Sequence, residues 1–135
     1  MSWMLLSTLS LSACDTSEDD SSSPTPEETP PTFQFVEQKV LTLSCDFSGC
    51  HAGSSASTGL DFSEADLYTR IVNVASVQRT ELMLVKPGDA TSSYLVQKLT
   101  DAEGIVGDKM PPDGEIEPEY LQAVIDWIDA GAPNN

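Results

Sequence analysis

The sequence predicts a mostly α fold, a small helical domain with long loops behind an N-terminal stretch that stays outside it. Three observations carry this. In four segments the apolar residues recur every three to four positions, the period of one helix face. No segment sustains the apolar–polar alternation of a half-buried strand. The connections are rich in Gly, Ser, Pro and Asp, which interrupt regular structure rather than continue it. With 135 residues, 39% of them apolar, the chain has room for one domain and a modest core.

The first fourteen residues, "MSWMLLSTLSLSAC", carry no charged side chain and are mostly apolar. They are too short to span a bilayer. A short apolar run ending in small residues has the shape of an export signal. "LSAC", ending at Cys14, resembles the lipobox of bacterial lipoproteins, although no Lys or Arg precedes the apolar run. That resemblance implies a signal peptide over 1–13, cleavage before Cys14 and a lipid on its sulfur. The expected product is an exported lipoprotein, periplasmic or at the cell surface, touching the membrane through its anchor at Cys14 alone. The competing reading is a buried N-terminal segment of the domain.

From 15 to 32 every residue is Asp, Glu, Ser, Thr or Pro. Nothing there can be buried to offset chain entropy, so disorder is expected. Prolines and like charges favour an extended chain. Residues 14–32 read as a tether, and 33–135 as the folded domain.

The domain opens with "FQFVEQKVLTLSC", apolar at 33, 36, 40 and 43. This predicts a helix with Thr32 as N-cap. "SEADLYTRIVNV", residues 63–74, starts with Ser63 as a cap and acids in its first turn. It predicts about three helical turns, with Leu67, Ile71 and Val74 on one face. In "VKPGDATSSYLVQKL" a Pro87–Gly88 turn leads into a short helix near 92–99, with Leu95 and Leu99 inward. "EPEYLQAVIDWIDAGAP" has Pro118 in its first turn, Gly131 past its end and Pro133 beyond, the punctuation of a complete helix. Leu121, Val124, Ile125 and Ile128 form one stripe and Trp127 flanks it. Loops this long in a small domain are expected to wrap something large and apolar.

Charge excludes several functions. There are 22 acids against 6 bases, a net charge of −16. Six of those acids precede residue 33, leaving 16 against all 6 bases in the domain. Such a chain repels nucleic-acid phosphates and has no polybasic patch for anionic lipid. A protein partner is expected to present a basic face or to meet the chain with little electrostatic help.

The chemistry concentrates in "LSCDFSGCHAG". Cys45, Cys50 and His51 are two of the three cysteines and the only histidine. In an oxidising compartment two cysteines default to a disulfide. A Cys45–Cys50 bridge would close a small loop, stabilise little and leave His51 unexplained. Zinc would be a ligand short. A thioredoxin-like pair has two residues between its thiols and a βαβ setting. A fourth option accounts for all three residues. Two thiols can add to the vinyl groups of a haem, and a His directly after the second then reaches the iron. The usual spacing has two residues between the cysteines, whereas here there are four, 46–49.

One histidine rules out a bis-His site within one subunit. Met1 and Met4 leave with the signal, so Met83 and Met110 are the candidates for a second axial ligand. Met83 lies in the apolar run "TELMLV" and reads as core filler. Met110 lies in "GDKMPPDGE", a polar loop where a lone Met packs poorly and two prolines stiffen the chain. Met110 is therefore the expected ligand.

A first helix ending in Cys…Cys-His, a downstream "MPP" and a final helix with an aromatic resemble class I c-type cytochromes. "PGD", "MPP" and "WIDAGAP" together resemble the small cytochrome c-like domains of planctomycetes and myxobacteria. The resemblance spans 33–135. It implies one covalent haem c, thioethers at Cys45 and Cys50, His51 as proximal iron ligand and Met110 as distal ligand. The implied function is one-electron transfer with redox partner proteins of the cell envelope, with no catalysis and no small-molecule substrate. Two alternatives stay open. One is a haem sensor or peroxidase-like centre with an open iron position. The other is a haem-free, disulfide-closed lipoprotein with a structural or binding role.

The remaining residues get plain expectations. Trp127 reads as a packing aromatic, and Tyr94 and Tyr120 as half-buried. One of Arg70, Arg79, Lys86, Lys98 and Lys109 is a candidate partner for a haem propionate. Asp101, Glu103, Asp108 and Asp113, around Met110, read as solvated loop charge without the ligand spacing of a Ca²⁺ loop.

Overall fold

The Thr32 hydroxyl accepts the Phe35 N–H at 3.1 Å, the expected N-cap. It opens α1, residues 33–45, which in this computed structural model runs unbroken through three segments. Phe33–Val36 is α-helical, Glu37–Leu41 π-helical and Thr42–Cys45 α-helical. The structure describes residues 30–135. The expected signal peptide, Cys14 and nearly all of the tether lie outside them.

The π segment changes which residues face inward. At α pitch Cys45, nine residues beyond Val36, would lie about two and a half turns on, on the opposite face. The wider π turn brings it back, and Val36, Val40, Leu41 and Cys45 are all buried. Leu43, expected inward, is 59% exposed. The apolar spacing located the helix correctly but assumed a uniform pitch.

The second helix is shorter than expected. Only Leu67–Ile71 is helical; it is α2. Ser63 is not its cap. The Asp61 carboxylate takes both the Ser63 N–H at 2.9 Å and the Ser63 hydroxyl at 2.6 Å, so a local turn competes with helix there. At the far end Val72 turns extended and bridges Val85.

After the Pro87–Gly88 turn, α3 is Tyr94–Leu99 and α4 is Pro118–Asp129. Asp89 N–H bonds to Lys86 C=O at 3.0 Å, and Gly88 has φ 79°, the positive value a type II turn requires of its third residue. This turn docks on the end of α4. Gly88 N–H donates to Ile128 C=O at 2.7 Å, and Ala90 N–H to the Asp129 carboxylate at 2.9 Å.

The end of α4 is a Schellman cap. Ala132 N–H reaches Trp127 C=O and Gly131 N–H reaches Ile128 C=O, both at 2.9 Å. Trp127, expected on the flank, is fully buried at the centre of the core. Its indole donates to Pro133 C=O at 2.9 Å and its ring lies 5.5 Å from that of Phe33. Both α1 and α3 pack against α4. "PGD" and "WIDAGAP" are thus joints of the scaffold. Among the described residues no strand forms, only four isolated bridges, and no helix is long and apolar enough to cross a membrane. The domain is mostly α, as expected.

Candidate functional site

Cys45 is the last residue of α1, and the chain leaves the helix at Asp46 (φ −84°, ψ 64°). A tight turn follows. Cys50 N–H donates to Phe47 C=O at 2.9 Å, with Gly49 at φ 86°. The turn carries Cys50 and His51 back beside the helix end.

His51 is held on two sides. Its ring nitrogen Nδ1 lies 2.9 Å from Leu60 C=O. A carbonyl only accepts, so Nδ1 carries a proton, and in the neutral ring Nε2 is the nitrogen with a free lone pair. The ring lies 4.9 Å from that of Phe62, and Phe62 N–H donates to His51 C=O at 2.8 Å.

The two thiols differ. Both are free; Cys45 is buried and Cys50 exposed. Burial above all pushes the Cys45 thiol up to about 11, with Cys50 and Asp46 adding to the effect. Cys45 is a neutral thiol at physiological pH, resting 3.9 Å from Val40 C=O. One oxygen of Asp46, Oδ1, is buried without a hydrogen-bond partner.

All four expected cofactor residues, Cys45, Cys50, His51 and Met110, line one cavity of about 590 Å³. Its other walls are largely apolar and include Leu60, Phe62, Leu84, Leu95 and Leu99. That volume lies inside the ~300–1,000 Å³ range of small-molecule and cofactor sites. Met110 is half-buried on the far segment, followed by Pro111 and Pro112 on the same wall. Met83, expected as core filler, is 39% exposed and is not part of this lining. Its run is a loop of bridges in which the backbone does the pairing, with Met83 C=O accepting Tyr94 N–H at 2.9 Å.

The residues fit a haem by their chemistry. An imidazole anchored through Nδ1, which leaves Nε2 for a metal, and a thioether are both iron donors, and the thiols line the same cavity. Among the described residues no cluster of three or more His, Cys, Asp or Glu could hold a bare metal ion. Asp101, Glu103, Asp108 and Asp113 are exposed.

Of the five cations considered for a propionate, Arg70 and Lys98 line the cavity. Arg70 pairs with Glu64 and donates to Gly59 C=O at 3.1 Å. Arg79 pairs with Glu81, Lys86 with Asp89 and Lys109 with Glu115. Lys98 is only 7% exposed. Its ammonium donates to Val106 C=O at 2.9 Å and to Asp108 C=O. Burial holds it below the usual lysine range, against the pull of Asp108 and Asp101.

Sequence reasoning named Tyr94 and Lys98 but missed that both are buried and bonded to the loop before Met110. Tyr94, expected half-buried, is fully buried. Its hydroxyl accepts Val106 N–H at 3.0 Å and donates to Gln78 Oε1 at 3.2 Å. The available signal was spacing, since a Tyr and a Lys at i and i+4 share one helix face. Tyr120 is half-buried, as expected. Comparison with models of protein families, with curated proteins and with solved structures finds no match.

Proposed function

We propose that this domain is a c-type cytochrome, a one-electron carrier held at a membrane by its lipidated tether. What carries the reading is the meeting of Cys45, Cys50, His51 and Met110 at one apolar-walled cavity, from segments far apart in the chain. When bound, the haem supplies a one-electron couple, whose potential an imidazole–thioether ligand pair raises.

The chain's own residues do the rest. Cys45 and Cys50 would hold the macrocycle through their sulfurs. Leu60 C=O fixes the His51 ring through Nδ1, so that Nε2 would be the nitrogen available to an iron, the outer-shell arrangement usual for metal-binding histidines. Met110, from the loop after α3, would supply a thioether as the second iron ligand. Leu60, Phe62, Leu84, Leu95 and Leu99 exclude water and lower the local dielectric. No substrate bond is made or broken, so the protein is a carrier rather than an enzyme. The acidic surface selects redox partners of the envelope that present basic faces.

The test is the visible spectrum of the exported protein made with a c-type maturation system. A haemochrome that survives acid–acetone extraction is expected, with the weak long-wavelength band of a thioether on oxidised iron. His51→Ala should remove the low-spin spectrum, and Met110→Ala that band alone. A colourless protein overturns the reading.

A further inference from the structure

The lysine at position 98 is anomalous. Its neighbours Val96 and Leu99 on α3 are buried apolar residues, and a leucine or methionine would fill the position with no charge to desolvate. A buried ammonium is costly unless it is paired and hydrogen-bonded. Among the described residues no carboxylate lies within ion-pair distance of Lys98. Its partners are instead two backbone carbonyls, Val106 and Asp108. A third bond runs the other way, from Met110 N–H to Lys98 C=O at 2.8 Å. One residue of α3 therefore grips the approach to Met110 at three points, and Tyr94, one turn earlier, adds a fourth at Val106 N–H.

The loop's other ties lie mostly before Val106: Ala102 N–H donates to Gln97 C=O at 3.0 Å and Arg79 to Gly104 C=O, while Lys109 pairs with Glu115 at 3.6 Å. Residues 100–113 form no helix or strand. Gly104 and Gly107 sit at positive φ, Val106 is 45% exposed, and Asp108 is exposed. Take away the ammonium and two carbonyls lose their donor in a segment with few apolar contacts.

We propose that Lys98 is the positioning residue for Met110: its buried ammonium clasps the loop carbonyls so that the thioether is presented to the cavity. It acts on Met110 through the backbone of the loop and not as an iron ligand. The proposal rests on the haem reading for the purpose of that presentation, while the clasp stands on the hydrogen bonds alone.

The test uses the full exported chain with three substitutions. Lys98→Met keeps the length of the side chain and removes the donors. Lys98→Arg restores them. Tyr94→Phe keeps the ammonium and removes the hydroxyl's bonds to Val106 N–H and Gln78 Oε1. In hydrogen exchange, Lys98→Met should speed the amides of 105–110 about tenfold, the loss expected for a charged hydrogen bond, with α4 unchanged. Lys98→Arg should recover most of the protection, and Tyr94→Phe should raise exchange in the same segment. In the haem-loaded protein, Lys98→Met should weaken the thioether band and tighten imidazole binding about tenfold, with the attached haem retained.

Unchanged loop exchange in Lys98→Met overturns the proposal. So does exchange that rises equally in α1 and α4, since Lys98 would then be a general stabiliser. If Lys98→Met does not fold, the Tyr94→Phe and Lys98→Arg patterns decide the matter. A colourless wild type sinks the cytochrome reading, yet loop exchange in that same protein still decides the clasp. An intact thioether band in a loop-loosened Lys98→Met protein overturns the positioning role while leaving the cytochrome standing.

Discussion

His51 donates its Nδ1 proton to the carbonyl of Leu60 at 2.9 Å. The intervening residues, 52–59, carry two short 3₁₀ turns, Gly53–Ser55 and Ser57–Gly59, folded so that the carbonyl returns to the ring. Ser57 N–H to Cys50 C=O and Phe62 N–H to His51 C=O close the loop at both ends. A single hydrogen bond thus selects which imidazole nitrogen is free, and selects the one a metal could use. In nitrogen-correlated NMR of the haem-free protein, at a pH where the ring is neutral, His51 should appear as the Nδ1-protonated tautomer. An Nε2-protonated ring would mean that the chain does not prepare this nitrogen.

The thiol pair should react in order. Cys50 is exposed, whereas Cys45 is buried and its thiol is pushed up to about 11. The thiolate is the nucleophile, so both access and ionisation disfavour Cys45. In haem-free protein near neutral pH, iodoacetamide should modify Cys50 first by at least about tenfold in rate. Peptide mass spectrometry gives the order. Equal rates would show that the end of α1 opens readily.

The sequence announced its helices through apolar spacing and its scaffold joints through Pro and Gly. Gly131 and Pro118 marked both ends of α4 because capping is local chemistry, readable from a few neighbouring residues. The π segment of α1 was not legible, because pitch is set by what the helix packs against. Ser63 misled for a related reason. Its best local partner was Asp61, two residues back, and no pattern says whether a serine will cap forward or fold backward. The four cofactor residues were legible as types and spacings. Their meeting at one cavity was not, since it depends on how the loop after α3 returns. For Lys98 the i, i+4 spacing with Tyr94 marked a shared helix face but not its burial, which tertiary contacts decide.

The turn at Asp89 should make stability pH-dependent. The Lys86 ammonium first, then Ser92 and Thr91, hold the Asp89 carboxyl well below the usual carboxylate range. The folded state therefore prefers the ionised form. This stabilisation is complete above the unfolded value near about pH 4 and is lost as pH falls below it toward the lower folded value. Asp89→Asn keeps an acceptor for Ser92 N–H, which lies 3.0 Å away, but gives up the pair with Lys86. Its Tm should lie below wild type at neutral pH, and the gap should shrink as the pH is lowered from about 4. A gap of constant size would show that the turn uses the shape of the side chain and not its charge.

Filling the cavity separates its role from that of the core. Leu95 is half-buried and lines the cavity, so a larger side chain there has space to enter. Val124 is fully buried inside the packed core, where nothing can give way. Overpacking a closed core costs about 1–3 kcal/mol. Val124→Trp should therefore lower the stability of the haem-free protein by at least that much, while Leu95→Trp should leave it nearly unchanged or raise it by burying new apolar surface. Under c-type maturation the two variants should exchange ranks. Leu95→Trp occupies the space the macrocycle needs and should yield little or no haem protein, although it folds. Val124→Trp should still yield coloured protein at temperatures where it stays folded. Chemical denaturation of the haem-free forms and haem content per chain after maturation read the two effects independently. If Leu95→Trp carries a full complement of haem, the macrocycle lies elsewhere and the cavity is not its site.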